Sequence, residues 1–480
     1  MHLSLVTRMK ELGHRSLADA RLCSHMRRWH GAQAPRVDLI ILVVLLLVAA
    51  SIYRLNLSPI PFGIYHDDGL YVVTAKALAT GHGYRIISLP HEPAQTKYPP
   101  FYPFLLSLIW RSSPSFPQNL IPMMYLSMAM TLGFLSLIYY YLITQGYCCR
   151  LTALIIVILV AFNGFTIYWS TYLLSDMTYA ALSIAALWLV EIVAGTRRQS
   201  IAVAAIAATV LGLTFLTRQI GMALIAASLL YLALQKQFRL LLVMALVLFM
   251  IVAPWLLWCQ AQIGKATPLG GEFYTGYASE YLPLAKNPLL LLKLISKKTL
   301  IFIAAIPAMF LPAVATLKSI FDYAFISGAF ALLVTGLIDL WHGGRRLLHI
   351  YLEFYFLLIL VHPFPHCDRY FMPILPFLLM GLLVGCQRQW TSCKNLWARQ
   401  RKPLSMIIMA TSLGLLIICF SGLFIGNSLS IGRLVQSRAR GVSVKVELFN
   451  GCSPLNTEGG PSGSPCHFKG LRVAPGASFS

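Results

Sequence analysis

Apolar runs of about 17–25 residues, the length a bilayer's hydrocarbon core asks of a helix, recur along most of this chain. The first is Leu39–Tyr53, and further spans read at 119–144, 151–169, 172–194, 200–217, 219–235, 238–258, 323–341, 349–362, 369–386 and 404–426. With 58% hydrophobic and 11% charged residues in 480, no soluble interior would need so many. The expected fold class is therefore an all-α polytopic membrane protein. Residues 299–316 stay out of the count of eleven, because Pro307 and Pro312 suit an interfacial or re-entrant piece better than a crossing.

Charge orients the bundle. Arg8, Lys10, Arg15, Arg21, Arg27, Arg28 and Arg36 outnumber Glu11 and Asp19 ahead of the first span, which places residues 1–36 in the cytoplasm. A cleaved signal peptide ending at Val48-Ala49-Ala50 is the rival, and the long basic lead argues against it. Arg197-Arg198, Lys236, Arg239 and the basic 388–402 segment then fall on the cytoplasmic side, leaving 56–118 and 259–298 as exoplasmic loops. The net charge of +22 is spread between spans, so it points to membrane lipids and not to nucleic acid. The ten cysteines show no zinc spacing, and only Cys452 and Cys466 are placed to pair. The Gly/Ser/Pro-rich tail, 433–480, reads as disordered.

The first loop is the exceptional stretch. It carries adjacent carboxylates, Asp67 and Asp68, then Gly81 and Gly83, then Lys97-Tyr98-Pro99-Pro100 and an interfacial helix at Phe104–Trp110. Taken alone, an Asp-Asp pair suits a solvated loop. Asn56-Leu57-Ser58 matches a glycosylation sequon hugging the membrane. Asp176 stands near the same face at a span's mouth, whereas Glu191 falls at a cytoplasmic end and reads as structural. Lys97, Arg218 and Arg369 are exoplasmic positives that the charge rule disfavours. As a set they suit an anionic ligand, with a lipid phosphate the obvious one; singly, each could snorkel to headgroups.

Asp67-Asp68-x-x-Tyr71, Ala75, Leu78, Gly81-His82-Gly83-Tyr84 and Tyr98-Pro99-Pro100 resemble the first exoplasmic loop of the GT-C glycosyltransferases. The resemblance is nearest to the branch with protein O-mannosyltransferases and the bacterial aminoarabinose transferase. Ser175-Asp176, Thr217-Arg218, Pro254-Trp255 and Arg369-Tyr370-Phe371-Met372-Pro373 extend it over about 37–430. It implies a GT-C-like transmembrane domain over 37–432 that moves a sugar from a polyprenyl-phosphate donor to a hydroxyl of a lipid, glycan or protein. It makes Asp67 the catalytic carboxylate that accepts the acceptor's proton, with Asp68, standing where the family has glutamate, and Asp176 as the further catalytic candidates. Lys97, Arg218 and Arg369 would take the donor phosphate, although Tyr98 intervenes before Pro99. Tyr71, Tyr98 and Tyr370, in the same motifs, would contact substrate. No cofactor is demanded, but a divalent cation between Asp67 and Asp176 is conceivable. The membrane would be a bacterial inner membrane, or the endoplasmic reticulum in a eukaryote. A lipid-linked sugar flippase or secondary transporter is the competing reading, since such proteins also carry charges in spans.

Overall fold

The computed structural model describes residues 34–58, 62–63, 65–195, 200–262, 265, 275–310, 320–342, 346–363, 368–400, 428 and 431–432. The described residues form helices joined by turns and loops, with one isolated bridge, Arg85 to Ala94, and no strand among them. In order the helices are α1 Ala34–Leu55, α2 Asp67–Ala79, α3 Phe101–Ser112, α4 Leu120–Thr144, α5 Arg150–Ala161, α6 Gly164–Trp169, α7 Asp176–Gly195 and α8 Ile201–Thr217. There follow α9 Met222–Leu234, α10 Phe238–Gln262, α11 Ala278–Lys286, α12 Pro288–Phe310, α13 Ile320–His342, α14 Arg346–Val361 and α15 Leu375–Gln400. Among the described residues, four stretches are long and apolar enough to cross a membrane: Val37–Leu55, Leu120–Thr144, Asp176–Gly195 and Phe238–Gln262. Five shorter apolar helices accompany them. The chain is an all-α polytopic membrane protein.

Two expected spans differ from the structure, and the uncounted piece at 299–316 takes a definite form in part. The run 151–169 is not one helix, because α5 stops at Ala161 and Asn163 caps α6, accepting from the Phe165 N–H at 3.0 Å. Asparagine competes for backbone donors in this way, so an apolar run hid a break at Asn163-Gly164. Of the uncounted piece at 299–316, residues 299–310 form the end of α12, which begins at Pro288, inside the expected loop, and contains Pro307; 311–319 lie outside the described residues. The run 369–386 opens as a 3₁₀ turn, Asp368–Phe371, before α15. The 404–426 span, the tail with Cys452 and Cys466, and residues 1–33 also lie outside the described residues.

The first loop folds as a helical pair lying against the bundle. In α3, Tyr102, Leu106 and Trp110 recur at helical spacing and are buried, while Phe104 and Leu108 face outward. Asn56 of the sequon is no glycan acceptor in this arrangement. It is buried, and its Nδ2 donates to the carbonyls of Ile167 (2.8 Å) and Tyr168 (3.2 Å) and to Thr171 Oγ1 (3.0 Å). Glu191 is structural: its Oε1 accepts from Tyr147 (2.7 Å) and Tyr141 (3.1 Å).

Helices α13 and α15 touch backbone to backbone. A Cβ on Gly336 would lie 1.8 Å from the Gly381 carbonyl oxygen, and one on Gly385 1.9 Å from that of Leu332. Small residues permit such approach between membrane helices. Gly336→Ala is expected to force the pair apart and cost about 3 kcal/mol, at the upper end for overpacking. Gly133→Ala, with open space around its Cβ, is the control. Equal thermal stability of the two variants in detergent would contradict this packing.

Candidate active site

The turn before α2 decides how the acidic pair is used. Gly63 (φ +91°) and His66 (φ +56°) adopt left-handed backbone conformations, and His66 does so as a non-glycine residue. Asp68 ties this turn together. Its Oδ2 accepts from the Gly63 N–H at 2.7 Å and its Oδ1 from the Gly69 N–H at 2.8 Å, and the residue is buried. Asp67 points elsewhere. Its Oδ1 accepts from the Tyr98 hydroxyl at 2.5 Å, and its Oδ2 from Arg369 Nη2 at 2.7 Å.

That ion pair joins residues 302 positions apart. Arg369 sits in the 3₁₀ turn ahead of α15, which Tyr355 braces by donating to the Tyr370 carbonyl at 2.6 Å. Arg218 closes α8 with an extended backbone and meets Asp176, the first residue of α7, at 2.5 Å. Both guanidinium groups lie over the Tyr370 ring, at 5.6 Å for Arg218 and 5.5 Å for Arg369. Beside Asp176, Ser175 Oγ is 2.9 Å from the Tyr71 hydroxyl.

Lys97 is buried, with its Nζ 4.6 Å from the centre of the Tyr277 ring. The Gln95 side chain holds the turn at Lys97-Tyr98, accepting from both backbone N–H groups at 2.8 and 3.3 Å. Gln219, next to Arg218, donates to the Lys97 carbonyl at 3.1 Å. One cluster therefore gathers Asp67, Asp176, Arg218, Arg369, Tyr71, Tyr98 and Tyr370, with Lys97 on its flank. Asp68 is left on the turn side. The intervening Tyr98, an oddity in the sequence, supplies the hydroxyl that Asp67 accepts.

Burial alone would raise the Asp67 pKa. The Arg369 guanidinium, the Tyr98 hydroxyl and, farther off, Arg218 overcome it and hold the carboxyl below its usual value. Burial raises the Asp68 pKa, the Gly63 and Gly69 N–H groups oppose that, and the Asp67 charge adds to it. Adjacent carboxyls are thus pushed in opposite directions. Asp68→Asn places an amide nitrogen against a backbone donor, so it is expected to lower thermal stability while turnover per folded molecule stays near wild type. Unchanged stability with turnover abolished would reverse the roles of the pair.

Sequence reading passed over His362, Tyr277 and Tyr281. Tyr281 Oη is 2.7 Å from His362 Nδ1, and His362 Nε2 is 3.4 Å from Tyr370 Oη. A histidine directly before Pro363, a few residues ahead of Arg369-Tyr370, is the only signal the sequence offers. A divalent ion between Asp67 and Asp176 would lie against the Arg369 and Arg218 guanidinium groups that already pair with these carboxylates, and no group of three or more His, Cys, Asp and Glu assembles among the described residues. The residues as arranged do not fit a resident ion, and no step below passes through one.

No family model and no curated protein sequence matches the chain. Among solved structures it is similar to the archaeal oligosaccharyltransferase AglB from Archaeoglobus fulgidus in complex with an inhibitory peptide and a dolichol-phosphate. That likeness has 13% identity and a TM-score of 0.47, and covers 84% of this chain and 56% of the other. It is also similar to ArnT from Cupriavidus metallidurans bound to undecaprenyl phosphate, at 13% identity and TM-score 0.45, covering 86% and 80%. The Archaeoglobus fulgidus oligosaccharyltransferase complexed with Zn and sulfate follows at 14% identity and TM-score 0.43, covering 81% and 53%. The chain thus spans little more than half the length of the oligosaccharyltransferases.

Proposed function

We propose that this chain is a GT-C-type membrane glycosyltransferase. It would transfer a sugar from a polyprenyl-phosphate carrier to an acceptor hydroxyl of a lipid, glycan or protein on the exoplasmic face. The observation that carries the reading is the Asp67–Arg369 pair, in which a carboxylate from the first loop meets a guanidinium 302 residues away, beside a second such pair. A buried acid poised against phosphate-binding positives is what sugar transfer from a lipid phosphate requires.

The chemistry is direct displacement at the anomeric carbon. The acceptor oxygen bonds to that carbon as its bond to the phosphate oxygen breaks, and the electron pair leaves with the phosphate. Arg369, Arg218 and Lys97 stabilise the departing charge; such fixed electrostatic help is usually the largest catalytic contribution. Asp67 takes the acceptor's proton, held in position by the Tyr98 hydroxyl. In the free enzyme Arg369 keeps Asp67 ionised but weakly basic. A donor phosphate that shares Arg369 raises the proton affinity of Asp67, the direction a general base needs.

Membranes containing the protein, given radiolabelled polyprenyl-phosphate sugars, should label an acceptor. Cysteine placed at Thr80, after the other accessible cysteines are replaced, should react from the exoplasmic side. Reaction only from the cytoplasm would overturn the orientation on which the reading depends.

A further inference from the structure

His362 follows α14 and is seated among three tyrosines. The ring centres of Tyr277, Tyr281 and Tyr370 lie 6.4, 6.0 and 5.6 Å from its own. Its carbonyl accepts from the buried Lys298 of α12, which also donates to the Ile359 carbonyl at 3.0 Å. Backbone and ring are therefore fixed from different elements. Nδ1 meets Tyr281 of α11 at 2.7 Å, and Nε2 meets Tyr370 at 3.4 Å. The same Tyr370 ring lies beneath Arg218 and Arg369.

We infer that His362 is a positioning residue for the donor's lipid phosphate: it links Tyr281 of α11 to Tyr370, and so fixes the platform beneath Arg218 and Arg369. The inference rests on the proposed reading of the arginines as a phosphate site. A neutral imidazole has one donor and one acceptor nitrogen, and two tyrosine hydroxyls satisfy either tautomer. The groups around it are the cations Lys298, Arg218, Arg369 and Lys97, the ring of Tyr277 and the hydroxyls of Tyr281 and Tyr370. Burial first, then those cations, push the His362 pKa down to about 3. The ring accordingly stays neutral through the physiological range and does not shuttle protons.

The test uses the full chain in lipid nanodiscs with undecaprenyl phosphate as the probe. Each bridge is worth a modest hydrogen bond, so His362→Ala and Tyr281→Phe should each raise Kd by about three- to tenfold. The double variant should be no worse than His362→Ala, because both remove one link. His362→Gln, which retains a polar group toward Tyr370, should recover part of the loss. Tyr281 is 39% exposed, so its phenylalanine variant decides the matter if His362→Ala does not fold. The probe's phosphate itself ionises near pH of about 6, so the pH dependence of affinity should be the same in wild type and His362→Ala, with no further step near pH of about 6.5, where an unperturbed histidine titrates. Wild-type Kd in Tyr281→Phe and His362→Ala, with Arg369→Ala strongly weakened, overturns the inference alone. A step near that pH, removed by His362→Ala, overturns it as well. Failure of the wild type to bind the probe removes the phosphate reading and this inference together.

Discussion

Asp67→Asn should lower turnover by about 10²–10⁴-fold, the usual contribution of a positioned general base, while carrier binding persists. The amide keeps the shape of the carboxylate and can still accept from the Tyr98 hydroxyl. It cannot take a proton, and it no longer holds Arg369 by charge. Arg369 is then freer to meet a phosphate, so undecaprenyl-phosphate affinity should be unchanged or improved. The two readouts move apart only if Asp67 does chemistry and Arg369 does binding. Because Asp67 is held below the usual carboxylate range in the free enzyme, it is ionised at neutral pH, and kcat/KM should be lost only as acid protonates it below that range. Normal transfer by Asp67→Asn would return the loop to a structural role and move the transporter reading ahead.

Arg218→Ala should have the largest effect on folding. Asp176 is 2% exposed, its Oδ1 is held by Arg218 and its Oδ2 has no hydrogen-bond partner among the described residues. Removing one member of a buried pair leaves an uncompensated charge, at a cost of about 3–5 kcal/mol. Replacing both members, as Arg218→Met with Asp176→Asn, should recover much of the thermal stability but not the activity. Those outcomes separate the structural duty of the pair from its duty toward phosphate. A stable, carrier-binding Arg218→Ala protein would show that neither duty rests on Arg218.

Fold class was legible because hydrophobic runs of spanning length have few alternatives. Breaks inside such runs were less so. Asn163 interrupts one with a single side-chain cap, and three lysines in α12 masked a helix that crosses an expected loop boundary. Charge bias brings out Lys97, Arg218 and Arg369 from the sequence, and the structure places Arg369 beside an acid of the first loop and Arg218 beside one at the start of the preceding helix. Which member of the Asp67-Asp68 pair faces the arginines depends on left-handed backbone at Gly63 and His66, and sequence spacing does not encode it. His362 was invisible for a similar reason. Its meaning lies in contacts with Tyr281 and Tyr370, and the loop that supplies Tyr281 had only a scatter of tyrosines to recommend it.

The central claim is that this cluster breaks the bond between a sugar and a lipid phosphate. Its most direct test places the purified protein in vesicles with a polyprenyl-phosphate sugar labelled in both sugar and lipid, together with extracted acceptor. The account predicts one free polyprenyl phosphate for each sugar transferred, inverted anomeric configuration in the product, and neither product with Asp67→Asn. Intact doubly labelled donor in the opposite leaflet, with no carrier released, would contradict it.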